Sequence, residues 1–410
     1  MSSETTPELV PAAGHTWSHA PFRRLIATLL LTRAGNYMQT VASGWLAFHL
    51  TGDPMVVGVV SFLALGPALL GSPLGGRLAD RYCPRRLATG LSFLSAIGPL
   101  GLAVLAVTDS ITLPALYLLT AVSALPYSVN QPVRSIVVPY SVPMGLRRQA
   151  LIDVSAANNV AELVGAIIGG VVVQTVGPAL PYLFNAGAHL LTATVLILSP
   201  QLQASCDAAR AAESGGVLAA LRIAARIPLV LSVLLGVGAF YLLVAPIESQ
   251  MPTLAGDHSE GAAALGFLLA AVSVGSMVGN VAIRRLIGTG SATDVLFVGL
   301  GVAAASVLAL GWSNTLVGDA VLLVGYGLGW ELVAVSAGST LQLAVPPSIA
   351  GRMVGVAHLM SSGLTALGAL LVGGLFTTVQ VDPSLRLVGL VALLLAVALP
   401  RLRRHGPAAD

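Results

Sequence analysis

Hydrophobic residues gather in long stretches along the chain, and the short connections between these stretches hold most of the charged residues. A helix that crosses a bilayer needs about 20 mostly apolar residues, and each stretch is close to that length or longer. The pattern therefore predicts an all-α membrane protein with twelve transmembrane helices. They are predicted at about 25–48, 55–76, 87–107, 112–135, 150–176, 178–199, 228–247, 262–283, 293–311, 315–338, 353–378 and 384–400.

One long connection divides the predicted helices into two sets of six. The predicted organisation is an N-terminal tail (1–24), an N-terminal six-helix bundle (25–199), a linker (200–227), a C-terminal six-helix bundle (228–400) and a C-terminal tail (401–410). In the linker, apolar residues that share a helical face predict a short helix lying on the inner leaflet, and a solvated linker is the alternative. The apolar residues of that face are Val217, Leu218, Leu221 and Ala225.

The low charge content excludes several classes of protein. Of 410 residues, 56% are hydrophobic and 9% are charged, and the mean hydropathy is +0.88. Soluble domains carry about a quarter charged residues. The composition therefore excludes an ordinary cytosolic enzyme, a disordered chain and a nucleic-acid binder, and it makes the lipid bilayer the main partner of the chain.

The basic residues indicate how the chain is oriented. All 20 are arginine, and the composition is typical of a GC-rich bacterial genome. With the N-terminus inside, seventeen arginines fall in inner segments, Arg386 alone falls outside, and Arg33 and Arg134 lie within helices. Since cytoplasmic loops carry an excess of basic residues, the sequence predicts a protein of the bacterial inner membrane with both termini cytoplasmic.

Two pairs of similar segments indicate an internal repeat. The run 76–81 after the second predicted helix matches 279–284 after the eighth, so that Gly76 faces Gly279 and Ile283 stands in place of Asp80. Val138-Pro139, which precedes Arg147-Arg148, matches Val345-Pro346, which precedes Arg352. Because many secondary transporters are built from repeated units, these matches predict a duplicated six-helix unit with pseudo-symmetry.

The run from Gly76 to Arg86 (GRLADRYCPRR) resembles the loop signature of the major facilitator superfamily, with Cys83 and Pro84 as departures from the pattern. The glycine in this signature is expected to allow close approach of helices. Three further stretches, 51–54, 132–139 and 341–353, are similar to the twelve-span exporter branch that includes enterobactin exporters and macrolide-efflux proteins. Gly165 and Gly169-Gly170 resemble the antiporter signature of the superfamily, with Ala166 where a proline is usual.

The resemblance implies a monomeric major facilitator fold with two pseudo-symmetric six-helix bundles. It also implies proton-coupled efflux of a hydrophobic or amphipathic small molecule, such as an antibiotic or siderophore, by alternating access. An importer or a proton-independent facilitator with the same fold is the alternative. The sequence has no P-loop and no hydrolase or metalloprotease motif, so we expect no enzyme activity, no use of ATP, no metal and no cofactor besides the proton gradient.

Three charged residues inside the predicted helices are the proton-coupling candidates: Glu162, Glu331 and Arg33. A charge at the bilayer centre costs about 2.5–3.5 kcal/mol on insertion scales, so it needs a partner, a water-filled cavity or a function. A carboxyl group removed from water is a typical proton-exchanging group. For Glu162 and Arg33 a permanent ion pair is the alternative, whereas Glu331 follows Trp330, which is either a cation-binding ring or core packing.

Polar and aromatic residues near these charges form the candidate substrate cavity. They are Asn36, Gln39, Tyr127, Asn130, Gln131, Asn159, Tyr241, Tyr326 and Trp330, with Glu248 beside Tyr241 as further polar lining. The candidate conformational switch at the cytoplasmic side comprises Gly76, Asp80, Arg81, Arg85, Arg86 and Arg134, and Arg134 is expected to pair with Asp80 or Asp153. His189 and His358 are interpreted as interior residues rather than proton shuttles. The two cysteines, Cys83 and Cys206, are expected to form no disulfide in a reducing compartment.

Overall fold

A computed structural model describes residues 15–199, 202, 228–257, 261–286, 291–343 and 347–402, and within these ranges every regular element is helical. The first half contains α1 (Ala20–Thr51), α2 (Pro54–Leu65), α3 (Ala68–Arg81), α4 (Pro84–Val107), α5 (Leu113–Val137), α6 (Arg147–Thr175) and α7 (Ala179–Ile197). Together, α2 and α3 form one passage across the bundle, interrupted at Gly66 and Pro67. The first half therefore has six helical passages among the described residues.

The second half repeats this plan. It contains α8 (Pro228–Ala239), α9 (Met251–Asp257), α10 (Gly261–Leu286), α11 (Ala292–Leu310), α12 (Leu316–Leu343), α13 (Pro347–Val379) and α14 (Val381–Leu402). A π-helical turn (Phe240–Val244) and a 3-10 segment (Ala245–Gln250) join α8 to α9, so these four pieces form one passage. The described part of the second half thus also has six passages.

Ten of the described helical passages are long and apolar enough to cross a membrane. The first and fourth passages, α1 and α5, have 32 and 25 residues but carry more polar side chains. The predicted helices all exist, and their ends differ by several residues. The second passage, for example, continues to Arg81, so the signature residues Gly76 and Asp80 belong to its last turns rather than to a loop.

The two halves share one packing scheme. In the first half, α1 packs against α6 and α7, α3 packs against α5, and α4 contacts α5 and α7. In the second half, the seventh passage packs against α13 and α14, α10 packs against α12, and α11 contacts α12 and α14. Each contact in one half therefore has a counterpart in the other, although the boundaries of the two predicted bundles stay a prediction.

Glycine contacts show that the predicted register of the repeat is wrong by one residue. A Cβ added at Gly71 would lie 2.8 Å from Ser128 Cβ in α5, and one at Gly275 would lie 2.9 Å from Leu328 N in α12. Gly75 and Gly279 make the next close contacts of the same two helix pairs. Gly75 therefore corresponds to Gly279, and the predicted partner Gly76 has open space where its Cβ would be, so it is not needed for close approach.

Contacts between the halves concentrate at one end of the bundle. We call the end where α1 begins, near Arg81 and Arg147, the Arg-rich end, and the opposite end the Arg-poor end. At the Arg-poor end, α2 packs along α13 and α6 packs along α10. Asp53 accepts a hydrogen bond from Thr377 Oγ1 (2.7 Å), and Gln174 Oε1 accepts one from the Ala262 N–H (2.8 Å).

Glycines bring the backbones of the two halves together at this end. A Cβ at Gly170 would lie 2.8 Å from Gly266 Cα, and a Cβ at Gly44 would lie 2.8 Å from Pro252 Cγ. Nearer the Arg-rich end, α3 meets α13 where Leu69 packs on Gly363. The named contacts therefore seal the Arg-poor end of the described bundle.

Two further predictions concern the linker between the halves. The predicted interfacial helix lies outside the described residues, of which only Leu202 belongs to the linker. The expectation that no disulfide forms is wrong, because Cys83 is disulfide-bonded. Separation along the sequence gave no sign of this, whereas the fold brings the start of the linker to the start of α4: Leu202 is buried against this region, and Arg85 Nη1 donates to Ser199 O (3.1 Å).

Candidate functional site

An ion pair lies halfway along two helices of the first half. Arg33 of α1 donates through Nε to Glu162 Oε1 of α6 (2.6 Å) and through Nη2 to the same oxygen. Gly165 and Gly169 of α6 allow this approach, because a Cβ at either position would lie 2.9 Å from the Cα of Ala34 or Met38 in α1. The side chain of Arg33 is 32% exposed and that of Glu162 is 15% exposed, so the pair borders an open space rather than packed core.

The second half contributes an acid to the same place. Tyr37 lies one helical turn after Arg33, whose guanidinium carbon is 5.3 Å from the centre of the Tyr37 ring. Tyr37 interacts with Glu162 of its own half and with Glu248 of the second half. Arg33, Tyr37, Glu162 and Glu248 therefore form one polar group that joins the two halves.

Aromatic residues surround the irregular part of the seventh passage. The Trp330 ring of α12 lies edge-on to Phe240 (5.3 Å) and Tyr241 (5.8 Å) of the π-helical turn. Tyr326, fully buried one turn before Trp330, donates to Ala245 O (3.0 Å) at the start of the 3-10 segment. Phe240, Tyr241 and Tyr326 are buried in the main hydrophobic core and Trp330 packs against them, which agrees with the core-packing alternative for Trp330. The π-helical turn itself is a feature that is rare in proteins overall and common at functional sites.

Glu331 stands beside these aromatic residues, and its polar neighbour is an amide rather than a basic group among the described residues. It interacts with Asn280 of α10, and it lies within electrostatic reach of Tyr241 and of Glu162 in the other half. A Cβ at Gly279 would lie 2.8 Å from Glu331 Cβ, so Glu331 rests against the backbone of α10. Among the described side chains no basic group contacts Glu331. We call Arg33, Tyr37, Glu162, Glu248 and Glu331 the central polar cluster.

The predicted cavity residues Asn36 and Gln39 join helices within the first half. Asn185 Nδ2 of α7 donates to Asn36 Oδ1 (3.1 Å) and to Gln39 Oε1 (2.7 Å). The same helix pair is linked by the Thr32 and Thr192 hydroxyls (2.9 Å). Gly35 makes room for Asn185, because a Cβ there would lie 3.0 Å from Asn185 Cα. The amides of α1 therefore support the position of Arg33 through packing.

Of the other polar candidates of the first half, three lie on α5 and one lies on α6. Asn130 is fully buried and donates to Ser92 Oγ of α4 (3.2 Å), which is an interior position. Gln131 Nε2 donates to Tyr127 OH (3.2 Å), and Tyr127 lies within electrostatic reach of Arg33. Asn159 is half-buried, one turn before Glu162 on α6. Of the four, Tyr127 is therefore the one that lies within electrostatic reach of the central polar cluster.

Arg134 does not form the pair expected with Asp153. Its Nε and Nη2 are buried without a hydrogen-bond partner, and it borders a small cavity of about 10 Å³ lined by Leu29, Thr192 and Leu196. Asp153 instead accepts hydrogen bonds from Gln149 Nε2 (2.7 Å) and from the Thr16 hydroxyl of the N-terminal segment. The Asp153 alternative is wrong because the N-terminal segment folds back onto α6 and binds this aspartate.

The remaining switch candidates lie at the Arg-rich end. Arg81 and Arg86 are exposed, and Arg85 contacts the linker as described above. The side chains of Asp80 and His358 lie outside the described part of the chain. His189 is 2% exposed and lies edge-on to Tyr127 (6.0 Å), as expected for an interior histidine.

Sequence reasoning missed Tyr37 and Asn280, and it treated Glu248 as lining rather than as a partner of Arg33. The sequence spacing could have identified Tyr37, since it follows Arg33 by four residues and so lies on the same helical face. The sequence gives a weaker indication of Asn280, which directly follows Gly279 of the repeat. The contact between Glu248 and Tyr37 could not be predicted from the sequence, because it depends on how the two halves meet.

The comparison with known proteins agrees with this architecture. A sequence model for a family described as transmembrane secretion effector matches residues 15–409. The enterobactin exporter EntS of Salmonella paratyphi A is 25% identical over 375 residues, which cover 88% of each chain. The multidrug efflux pump Tap of Mycolicibacterium fortuitum is 25% identical over 398 residues, which cover 93% of this chain and 96% of that protein.

Solved structures share the fold at low identity. A crystal structure of the nucleoside transporter NupG has a TM-score of 0.70 at 14% identity, covering 94% of this chain and 100% of that one. A POT family transporter in complex with a thioalcohol-conjugated peptide has a TM-score of 0.74 at 14% identity, covering 93% and 96%. At such identities the likeness shows a shared fold, and it shows no shared substrate.

Proposed function

Because this chain belongs to the transmembrane secretion effector family of the major facilitator superfamily, whose members are transporters and not enzymes, we propose that it exports a hydrophobic or amphipathic small molecule. The proposed protein is a monomer in a bacterial inner membrane with both termini cytoplasmic. It uses the proton gradient, with no ATP and no bound cofactor. Each proton that enters down 100 mV supplies about 2.3 kcal/mol for export.

The observation that carries this proposal is the central polar cluster itself. Charged side chains from both halves meet midway between the two ends of the bundle, and the side chains of the ion pair are partly exposed. Transporters of this kind bind substrate near the midplane, between their two halves. This position supports the proposal that substrate and protons use the same carboxyl groups.

Alternating access is the proposed transport cycle. The contacts that seal the Arg-poor end, including those of Asp53 and Gln174, support a state that is closed on the outside. Rocking of the two halves would break these contacts and close the Arg-rich end in exchange. Such contacts bias a conformational equilibrium because they exist in only one of the two states.

Glu162 is the proposed coupling site. Protonation of Glu162 would release Arg33 and remove the constraint that holds α1 to α6. We expect Glu162→Gln to bind substrate yet to lose proton-driven transport, whereas Glu162→Asp should keep part of it. Proton-driven transport that continues unchanged in folded Glu162→Gln would refute this assignment.

Everted membrane vesicles test the direction and the energy source together. A panel of lipophilic antibiotics and catecholate siderophores is added to vesicles energised by respiration, and vesicles without the protein serve as the control. We expect at least one compound to accumulate, and we expect a protonophore to abolish that accumulation. Accumulation that survives the protonophore would indicate a facilitator, and uptake only into right-side-out vesicles would indicate an importer.

A cross-link tests alternating access. Asp53→Cys combined with Thr377→Cys, in an active background in which serine replaces Cys83 and Cys206, places two thiols at the sealed end. We expect oxidation to stop transport and reduction to restore it. The matched control pairs Asp109→Cys, in the loop between α4 and α5, with Thr377→Cys. Full transport by the oxidised, cross-linked protein would contradict the cycle.

A further inference from the structure

Arg134 of α5 is an interior cation whose charge no described carboxylate balances. Its Nε and Nη2 nitrogens are buried without a hydrogen-bond partner, and the one ion pair among the described side chains is that of Arg33 with Glu162. The centre of the Tyr127 ring is 6.0 Å from the guanidinium carbon, which is the limit of a cation–π contact. Buried charges and buried N–H groups both cost free energy unless an acceptor binds them. Arg134 therefore needs an acceptor that carries negative charge.

The two nitrogens without partners belong to one edge of the guanidinium group. The donors of an arginine lie in a rigid fork, so that neighbouring N–H groups can bind one acceptor together. Arg33 uses this arrangement, because its Nε and Nη2 both donate to Glu162 Oε1. The same edge of Arg134 is therefore suited to an anion that accepts two hydrogen bonds.

The cavity beside Arg134 limits the size of such an anion. Its volume is about 10 Å³, which suits a single particle of about the size of a water molecule. A carboxylic acid or a phosphate compound is larger than this space. Besides Arg134, the lining residues are Thr192 and six with hydrocarbon side chains: Leu25, Leu29, Ala88, Val137, Val138 and Leu196. All of them belong to the first half, so the cavity is internal to that half.

The lining favours an anion over a water molecule. A buried water molecule donates hydrogen bonds as well as accepting them, and it needs polar partners for both. The Thr192 hydroxyl is already bonded to Ala188 O (2.9 Å) and to the Thr32 hydroxyl (2.9 Å), and the other side chains beside Arg134 are apolar. A halide ion only accepts hydrogen bonds, and its charge balances the guanidinium group.

We propose that Arg134 and this cavity form a binding site for one small monatomic anion, such as chloride, inside the first half. The anion accepts hydrogen bonds from Nε and Nη2 and neutralises a charge that lies among α1, α4, α5 and α7. It stabilises the packing of these four helices. The site depends neither on the exported molecule nor on the central polar cluster.

Thermal unfolding of the purified full-length protein in detergent tests the site. An ion that binds only the folded state raises the unfolding midpoint as its concentration rises. Sodium chloride is compared with sodium gluconate at equal ionic strength, because gluconate is too large for the cavity. We expect the midpoint to rise with the share of chloride. A midpoint that does not depend on the share of chloride would overturn the proposal.

Two matched variants separate the site from general effects of salt. We expect Arg134→Met to lose the dependence on chloride and Arg24→Met, at an exposed arginine of α1, to keep it. The same dependence on chloride in wild type and in folded Arg134→Met would overturn the proposal. If Arg134→Met fails to fold, equilibrium dialysis of the wild type with radioactive chloride decides. We expect one bound chloride per chain that unlabelled chloride displaces and gluconate does not, and no bound chloride would contradict the site.

The preference among halides tests the position of the anion. Val137→Ala removes two methyl groups from the lining of the cavity and leaves Arg134 in place. We expect the wild type to be stabilised more by chloride than by the larger bromide, and we expect this preference to weaken or reverse in Val137→Ala. An unchanged preference in folded Val137→Ala would show that the anion binds elsewhere.

Discussion

The two halves of the molecule have the same helix packing and different chemistry. In the first half, amides and hydroxyls join α1 to α7, and the buried charges Arg33 and Glu162 neutralise each other. In the second half, aromatic rings pack around a π-helical turn, and Glu331 stands without a cationic neighbour among the described residues. The shared scheme extends to single glycines, such as Gly71 and Gly275.

This difference indicates a division of roles. An ion pair fixes helix positions in the first half, whereas in the second half Glu331 has Asn280 as its polar neighbour and no cationic neighbour among the described residues. Duplication of the fold therefore supplied the symmetric frame, and substitution within each copy supplied an asymmetric site.

The largest expected effect concerns the glycines that the halves share. Gly71→Ala and Gly275→Ala should each destabilise the protein by about 3 kcal/mol, since each new Cβ meets atoms of the neighbouring helix. Gly76→Ala is the matched control, and it should stabilise by about 0.5 kcal/mol because its Cβ meets nothing and alanine favours helix. Thermal unfolding in detergent measures all three. Equal effects at Gly71 and Gly76 would contradict the corrected repeat register.

The next effect concerns the paired charges. Arg33→Gln leaves Glu162 without its partner and should cost about 2 kcal/mol, less than for a fully buried pair because Arg33 is partly exposed. The double variant Arg33→Gln with Glu162→Gln should recover most of this loss. A double-mutant cycle on unfolding free energy measures the coupling. Additive losses would show that the pair does not hold α1 to α6.

A smaller effect distinguishes how each half is held together. Asn185→Leu removes two hydrogen bonds between α7 and α1 and should cost about 1 kcal/mol. Tyr326→Phe removes one hydrogen bond but keeps the aromatic contacts, so it should cost about 0.6 kcal/mol. Chemical unfolding with matched protein-to-detergent ratios compares them. A larger loss of unfolding free energy in Tyr326→Phe than in Asn185→Leu would contradict the view that polar side chains hold the first half together more than the second.

The smallest expected effect on stability is at Glu331. Glu331→Gln should leave the unfolding free energy within about 0.5 kcal/mol of wild type, because Glu331 forms no ion pair with the described residues and glutamine can still bond to Asn280. Glu162→Gln, the matched variant in the other half, should lose clearly more stability. Thermal unfolding of the two variants side by side is the measurement. Equal losses would remove the distinction between a structural and a free carboxylate.

Much of the fold could be predicted because membrane helices leave a direct signal in the sequence. Long apolar stretches predicted the helical passages, ten of which are long and apolar enough to cross a membrane among the described residues, and matched motifs predicted the repeat. The register was wrong by one residue, since Gly75 and Gly76 look alike in the sequence and only one of them faces a neighbouring helix. The interruption at Gly66 and Pro67 and the π-helical turn depend on tertiary packing, so periodicity did not show them.

The site could be predicted in part. Charges inside apolar stretches are costly, so Arg33, Glu162 and Glu331 were visible from the sequence alone. The bonds of Asn36 and Gln39 to Asn185 were not visible, because a sequence does not show which neighbouring helix a polar side chain meets, and the cavity role of the two residues stays a prediction. Of the two partners predicted for Arg134, Asp153 was wrong for a similar reason, since Thr16 and Gln149 bind it, and the side chain of Asp80 lies outside the described part of the chain.

Proton movement in proteoliposomes that contain a pH-sensitive dye tests the proposed transport most directly. The purified protein is reconstituted, a compound from the vesicle panel is added, and internal pH is followed in wild type and in Glu162→Gln. We expect a substrate-dependent pH change in wild type and none in the variant. Substrate movement without any pH change, or an equal pH change in Glu162→Gln, would contradict proton-coupled export through the Arg33–Glu162 pair.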